Sequence, residues 1–179
     1  MHPILLDFGS FKLYTYGLFV ALGFISAVFV SQRLGRTYQL KEQTISDLYF
    51  VILVSALVGA RGFYVVMNFD DYQNNIWDIF KIWNGGLVFF GGFLFSVLCI
   101  AVYIRMKKLN LWLCADLIVP GIALGHAIGR LGCLFAGCCY GKACDLPIAI
   151  VFTHQNSLAP LNTPLHPTQI YMFASNLIL

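Results

Sequence analysis

Charge is what this sequence has least of. Only 11% of its 179 residues are Asp, Glu, Lys or Arg, against roughly 25% in an ordinary soluble domain. Hydrophobic residues make up 59%. That imbalance excludes a water-soluble globular chain and favours a polytopic membrane protein. No basic run or basic helix is present, so nucleic-acid binding is excluded despite the net charge of +3. Acidic residues within the apolar stretches are nearly absent, Asp116 excepted, which leaves an ion-coupled transporter little to work with. The N-terminus has no basic n-region and no small-residue cleavage site, so a secretory signal peptide is not expected. There is no low-complexity linker, no internal repeat and no soluble domain.

What is present is long apolar runs. Four of them, Leu13–Ser31, Ile45–Met67, Gly85–Ile104 and Leu111–Leu131, are each long enough to cross about 30 Å of hydrocarbon as a helix. A fifth opens near Thr168 and is cut off at Leu179. The expected architecture is all-α: a polytopic transmembrane bundle of four complete spans and a truncated fifth. Residues 1–179 are expected to form a single transmembrane domain, incomplete at its C-terminus. Basic residues gather after the first run (Arg33, Arg36, Lys41) and after the third (Arg105, Lys107, Lys108). The positive-inside rule makes those two loops cytoplasmic. The N-terminus and the segment from Gly132 to His166 then face outward.

Within this frame a few polar residues stand out. Arg130 follows the apolar run from Leu111 to Ala127. A guanidinium cannot shed its charge at ordinary pH, and in a bilayer core it costs at least ~3 kcal/mol. Its expected partner is an anion, and the most abundant anion in a membrane is lipid phosphate. His126 lies four residues earlier, on the same helix face. It is read either as a ligand contact or as a histidine bonded within the bundle. Arg61 has two readings as well, a functional one and snorkelling to the interface. Asp116 lies about 21 Å from Arg130 along a helix, near the inner surface. Pairing with Lys108 or with a helix N-terminus would account for it. Glycines 121, 125 and 129 recur every four residues, a seam for close helix packing. Tyr16, Arg61, Phe90, His126, Arg130, His166 and Tyr171 all fall toward the outer leaflet in the expected topology.

Cys133, Cys138, Cys139 and Cys144 cluster in the outward segment, whereas Cys99 and Cys114 are isolated within spans. The C-x4-C-C-x4-C spacing is not a common zinc pattern. A structural disulfide, small buried residues, a metal site and a reactive thiol all remain open.

Taken together, these residues resemble the prolipoprotein diacylglyceryl transferases of bacterial inner membranes. Tyr14-Thr15-Tyr16-Gly17-Leu18 is similar to that family's first-span tyrosine motif, and Gly59-Ala60-Arg61-Gly62-Phe63-Tyr64 to its second-span arginine motif. Trp83-Asn84-Gly85-Gly86-Leu87-Val88-Phe89-Phe90-Gly91-Gly92 looks like its double-glycine segment. Gly129-Arg130-Leu131-Gly132, followed by Gly137 and Gly141, looks like its signature, and His166-Pro167-Thr168-Gln169-Ile170-Tyr171 like its histidine-proline motif. The departures are Phe90 where the family often has histidine, Cys133 for asparagine, Cys138 for glutamate, and Met172 for an acidic residue. They mark a divergent, cysteine-rich branch. The family also continues with further spans beyond the point where this chain stops.

The resemblance implies transfer of the diacylglyceryl group of phosphatidylglycerol to the lipobox cysteine of a prolipoprotein signal peptide, with release of glycerol phosphate. It implies a multi-pass protein of the bacterial cytoplasmic (inner) membrane. The implied partners are phosphatidylglycerol, the prolipoprotein and membrane lipids. Arg130 is the first choice for a phosphate clamp, with Arg61 second. The proton acceptor is left open among His126, His166, the family's further C-terminal part and the phosphate field itself. Tyr16 would meet the head group. Gly85, Gly86, Gly91, Gly92 and Gly141 would line the substrate path, although helix packing explains the first four almost as well. No cofactor and no metal are expected. Two other readings compete: a lipid-modifying membrane transferase with a different acceptor, and a non-enzymatic membrane protein using its outer cysteines for metal or redox chemistry.

Overall fold

The computed structural model describes residues 2–7, 12–73, 76–81 and 85–178. A short antiparallel hairpin comes first, β1 (Ile4–Asp7) against β2 (Lys12–Tyr14), with Ile4 opposite Tyr14. Helices α1 (Thr15–Thr37), α2 (Glu42–Met67), α3 (Phe89–Met106) and α4 (Leu111–Ala136) follow. All four are long and apolar enough to cross a membrane. After α4 come a two-stranded pair, β3 (Ile150–Val151) with β4 (Pro164–Leu165), and the last helix, α5 (Thr168–Ile178). The expected helical, multi-span architecture is what the structure shows.

The boundaries differ from the apolar runs for physical reasons. α1 continues six residues past Ser31 and takes Arg33 and Arg36 into its last turns, where the negative end of the helix dipole favours cations. Arg105 likewise lies in the last turn of α3. α3 begins at Phe89 rather than Gly85, because Gly85 and Gly86 have φ of +84° and +76°, and a right-handed helix cannot pass through that conformation. α4 runs on past Leu131 to Ala136 and so takes in Cys133 as well as Arg130. Asp116 sits in its second turn, and no ion pair to Lys108 is present among the described residues.

Three of these helices stop in the same way. The residue after the cap is left-handed (Gln39, Lys108 or Gly137). The next amide then bonds back five residues, Leu40 to Gly35, Leu109 to Ile104, and Cys138 to Cys133. This Schellman closure satisfies carbonyls that a helix end leaves open.

The chain divides into two compact units, residues 35–116 and residues 1–34 with 117–179. In the first unit, α2 and α3 meet backbone to backbone. A Cβ at Gly91 would lie 2.8 Å from the Gly59 carbonyl oxygen and 2.4 Å from Phe63 Cβ, and a Cβ at Gly92 would lie 2.8 Å from the Ala56 carbonyl oxygen. Helix packing therefore accounts for Gly91 and Gly92. In the second unit, α1 and α4 meet at Gly23 and Gly125, where a Cβ on Gly23 would come within 2.7 Å of the Gly125 carbonyl oxygen. Ser31 Oγ bonds the Leu117 carbonyl across the same pair. Gly129 faces open space, so the four-residue glycine repeat is only partly a seam. Large apolar side chains such as Phe50, Val66 and Phe93 are more than half exposed. On helices of spanning length that surface fits a lipid environment.

Gly91→Ala should destabilise the protein by about 1–3 kcal/mol through overpacking, read as a fall in the thermal midpoint in detergent. Gly62→Ala, on the same helix pair but facing open space, should leave the midpoint unchanged or raise it. Equal midpoints for the two variants would rule out the seam.

Candidate functional site

Arg61 is buried on α2, and its charge is met by backbone dipoles. Nε donates to the Ile79 carbonyl at 2.8 Å, Nη1 to Gly85 at 2.7 Å and Gly86 at 3.1 Å, and Nη2 to Asp78 at 2.7 Å and Lys81 at 3.4 Å. A guanidinium has five N–H donors, and each has an acceptor here. The Tyr64 and Tyr72 rings lie 5.6 and 5.5 Å from the guanidinium carbon, within cation–π range. This arrangement explains the glycine pair. Two successive left-handed residues turn both carbonyls onto Nη1, and a Cβ on Gly86 would lie 2.7 Å from that nitrogen. Gly85 and Gly86 thus serve Arg61, which gathers the carbonyls of Asp78, Ile79, Lys81, Gly85 and Gly86. Trp83 and Asn84 of the double-glycine motif lie outside the described residues. Phe90, on α3, is exposed and rests edge-on against Phe89. It has no group that can move a proton.

Arg130 is in the other unit and is held quite differently. Its Nε donates to His126 Nε2 at 3.1 Å. Its two terminal nitrogens have no partner among the described residues, and no carboxylate pairs with it there. Arginine only donates, so His126 Nε2 must be the accepting nitrogen and Nδ1 must carry the proton. Nδ1 lies 3.2 Å from Asn176 Oδ1 on α5, an acceptor that fits this tautomer. The chain Asn176–His126–Arg130 therefore aims a guanidinium whose forked end is free.

The thiols gather one turn further along α4. In the Schellman closure at Gly137 the side chains of the third-last helical position and of the residue after the glycine commonly touch. Here those two residues are Cys133 and Cys138. Cys139 adopts φ of +58°, which folds it back, and the three sulfurs lie within 4.8 Å of one another. All six cysteines are free thiols, and Cys144 is outside the trio. Burial, reinforced by the neighbouring sulfurs, pushes the Cys138 thiol up to about 12, so it is protonated at neutral pH.

The start of α5 fixes this turn. Gln169 Nε2 donates to the Cys138 carbonyl at 2.6 Å and Thr168 Oγ1 to the Cys139 carbonyl. Gln169 is fully buried, and its Oε1 has no partner among the described residues. Gly141 N donates to the His166 carbonyl at 3.0 Å, and a Cβ on Gly141 would lie 2.7 Å from His166 Cβ. Gly141 is thus a packing position against His166. The His166 ring is anchored through Nδ1, 3.1 Å from the Tyr171 hydroxyl. Its Nε2 has no partner among the described residues. Tyr16 packs on Gly132 and lies within electrostatic reach of Arg130 and the three cysteines. Tyr16 and Cys138, with Tyr14, Ala136 and Leu158, line a cavity of about 450 Å³ whose wall is almost wholly apolar.

Tyr16, His126, Arg130, Gly141 and His166 therefore belong to one unit, and Arg61, Gly85, Gly86, Gly91 and Gly92 to the other. Sequence reasoning gave no role to Asn176, Gln169 or Thr168. Only the last two fall within a motif that it singled out.

Four helices of spanning length, with Arg130, His126 and Cys133 on α4 and His166, Cys138 and Cys139 in the segment that follows it, define a multi-pass membrane protein with a cluster of polar groups beside an apolar cavity. The chain belongs to the prolipoprotein diacylglyceryl transferase family, whose model matches residues 3–179. It is 33% identical over 171 residues to a phosphatidylglycerol–prolipoprotein diacylglyceryl transferase of Clostridium tetani, covering 96% of this chain and 68% of the relative. The corresponding figures for the second such transferase of Clostridium perfringens are 33% identity, 96% and 66%. For the enzyme of Legionella pneumophila they are 32%, 97% and 67%. The chain thus spans about two-thirds of the length of the curated relatives it matches.

Arg61→Lys retains charge but replaces a five-donor fork with one ammonium. Residues 78–81 and the Gly85-Gly86 pair should then be released, giving faster limited proteolysis at those residues than in the parent protein. Unchanged cleavage would show that the carbonyl cage does not depend on the fork.

Proposed function

We propose that this protein transfers the diacylglyceryl group of phosphatidylglycerol to the lipobox cysteine of a prolipoprotein. The thiol sulfur forms a bond to the terminal glyceryl carbon, and the bond from that carbon to the phosphate oxygen breaks. The electron pair leaves with glycerol phosphate, and the thiol proton passes to a base. The relatives' activity supports this reading, and one observation in the chain carries it. Arg130 is oriented by His126 and keeps its two terminal nitrogens without a partner among the described residues. A free guanidinium fork matches two phosphate oxygens and stabilises charge that develops on the leaving ester.

The other residues take roles that their surroundings support. His126 orients Arg130, and its only accepting nitrogen is already engaged. His166, with Nδ1 anchored on Tyr171, offers Nε2 as the proton acceptor. Tyr16 reaches toward the head group. The apolar cavity beside Cys138 has a volume suited to a lipid or lipobox side chain. Arg61 holds its own loop through five carbonyls. The protein works in the bacterial cytoplasmic membrane with its N-terminus outside, the orientation given by the basic residues around Arg36 and Arg105.

The test is transfer from phosphatidylglycerol vesicles to a lipobox peptide. Arg130→Lys should lower the rate about 10²–10³-fold, the usual loss when a donor to a developing oxyanion is removed. Near-parental transfer by Arg130→Lys would defeat the clamp.

A further inference from the structure

The three clustered thiols are not used by the chemistry above. Cys133 and Cys138 stand where the resemblance leads one to expect asparagine and glutamate, so these positions have changed chemical character together. We propose that Cys133, Cys138 and Cys139 bind one zinc ion through three thiolates, with its fourth position open toward the apolar cavity. This departs from the expectation of a metal-free site.

Three observations carry it. The first is geometric. At a zinc–sulfur distance of about 2.3 Å, tetrahedral thiolates lie about 3.8 Å apart. The three sulfurs are already within 4.8 Å of one another, so each need move by less than about 1 Å to reach that spacing. The second is pre-organisation. The Schellman closure fixes Cys133 against Cys138. Gln169 and Thr168 hold the carbonyls of Cys138 and Cys139. Cys139 is kept left-handed, a conformation that is costly for a non-glycine residue and collects at functional sites. The third is the number of ligands. A disulfide would use two sulfurs and strand the third, whereas three soft ligands with one open position match the ligand count of a catalytic zinc site.

The open position faces the cavity that Cys138 lines. There an incoming thiol can enter. It binds as thiolate and gives its proton to solvent or to His166, because coordination to zinc deprotonates a thiol. The bound sulfur then attacks the glyceryl carbon, the bond from that carbon to the phosphate oxygen breaks with its electron pair leaving on glycerol phosphate, and the product leaves zinc as a thioether. Nothing is oxidised or reduced. This second part rests on the transferase reading. The metal site itself does not.

The experiment uses the intact protein, purified in detergent under reducing conditions. Zinc analysis should give one ion per chain. Cobalt(II) should give an intense thiolate-to-metal charge-transfer band. Both should be lost in Cys138→Ser and in Cys139→Ser and retained in Cys144→Ser, with all three variants eluting as the parent does. A lipobox peptide should shift the cobalt band, while the same peptide with serine for its cysteine should not. Protein that transfers lipid yet binds no zinc or cobalt overturns the metal site and leaves the transferase reading intact. Protein that binds one ion but transfers nothing retains the metal site and loses the transferase. A Cys133–Cys138 disulfide in non-reduced digests, refractory to metal after reduction, also overturns the inference. A cobalt band that is indifferent to the peptide thiol overturns thiol binding at the open position and retains the metal site.

Discussion

A guanidinium in an apolar stretch must find compensation for its charge, and Arg61 and Arg130 find it in opposite ways. Arg61 is saturated: five carbonyl dipoles and two tyrosine faces surround it. Arg130 is engaged through one nitrogen only. The same side chain is therefore a structural centre in one unit and a receptor in the other. What separates them is not burial alone. The loop after α2 can wrap back and present carbonyls because Gly85 and Gly86 tolerate left-handed backbone. Around Arg130 the helix occupies its own carbonyls, so only a side chain or a ligand can meet it.

The helix ends do a second kind of work. A Schellman closure is ordinarily a way of satisfying carbonyls, and at Gln39 and Lys108 that is what it achieves. At Gly137 the same geometry brings two thiols into contact, because cysteines occupy the positions that usually carry an apolar pair. A backbone motif thus becomes a ligand-gathering device without any change in its hydrogen bonds. The left-handed Cys139 extends it by one sulfur.

Much of this was legible in the sequence, and the rest was hidden for definite reasons. Spans of spanning length follow from composition, and the cations at the ends of α1 and α3 from charge placement. The apolar run ends at Leu131, whereas α4 reaches Ala136, so the stop at Gly137 and the meeting of Cys133 and Cys138 were not legible. Gln39 and Lys108 were unreadable as stops, since neither residue type favours left-handed backbone. Arg61 could not be told from Arg130, because both sit in apolar runs. The difference lies in a loop 17 to 25 residues downstream, beyond any local pattern. Gly85, Gly86, Gly91 and Gly92 looked alike, yet two cage a cation and two let helices touch. Asn176 gave no signal, since a polar residue near a helix end is commonplace.

One consequence follows from α5. At its beginning, Thr168 and Gln169 grip the turn that bears the thiols. Two turns later Asn176 grips the imidazole that steers Arg130. A single stiff rod is bolted at both ends to two different chemistries, so the cation and the sulfurs share one mechanical reference frame. Any push that tilts the rod detunes both together, and neither can drift out of alignment alone.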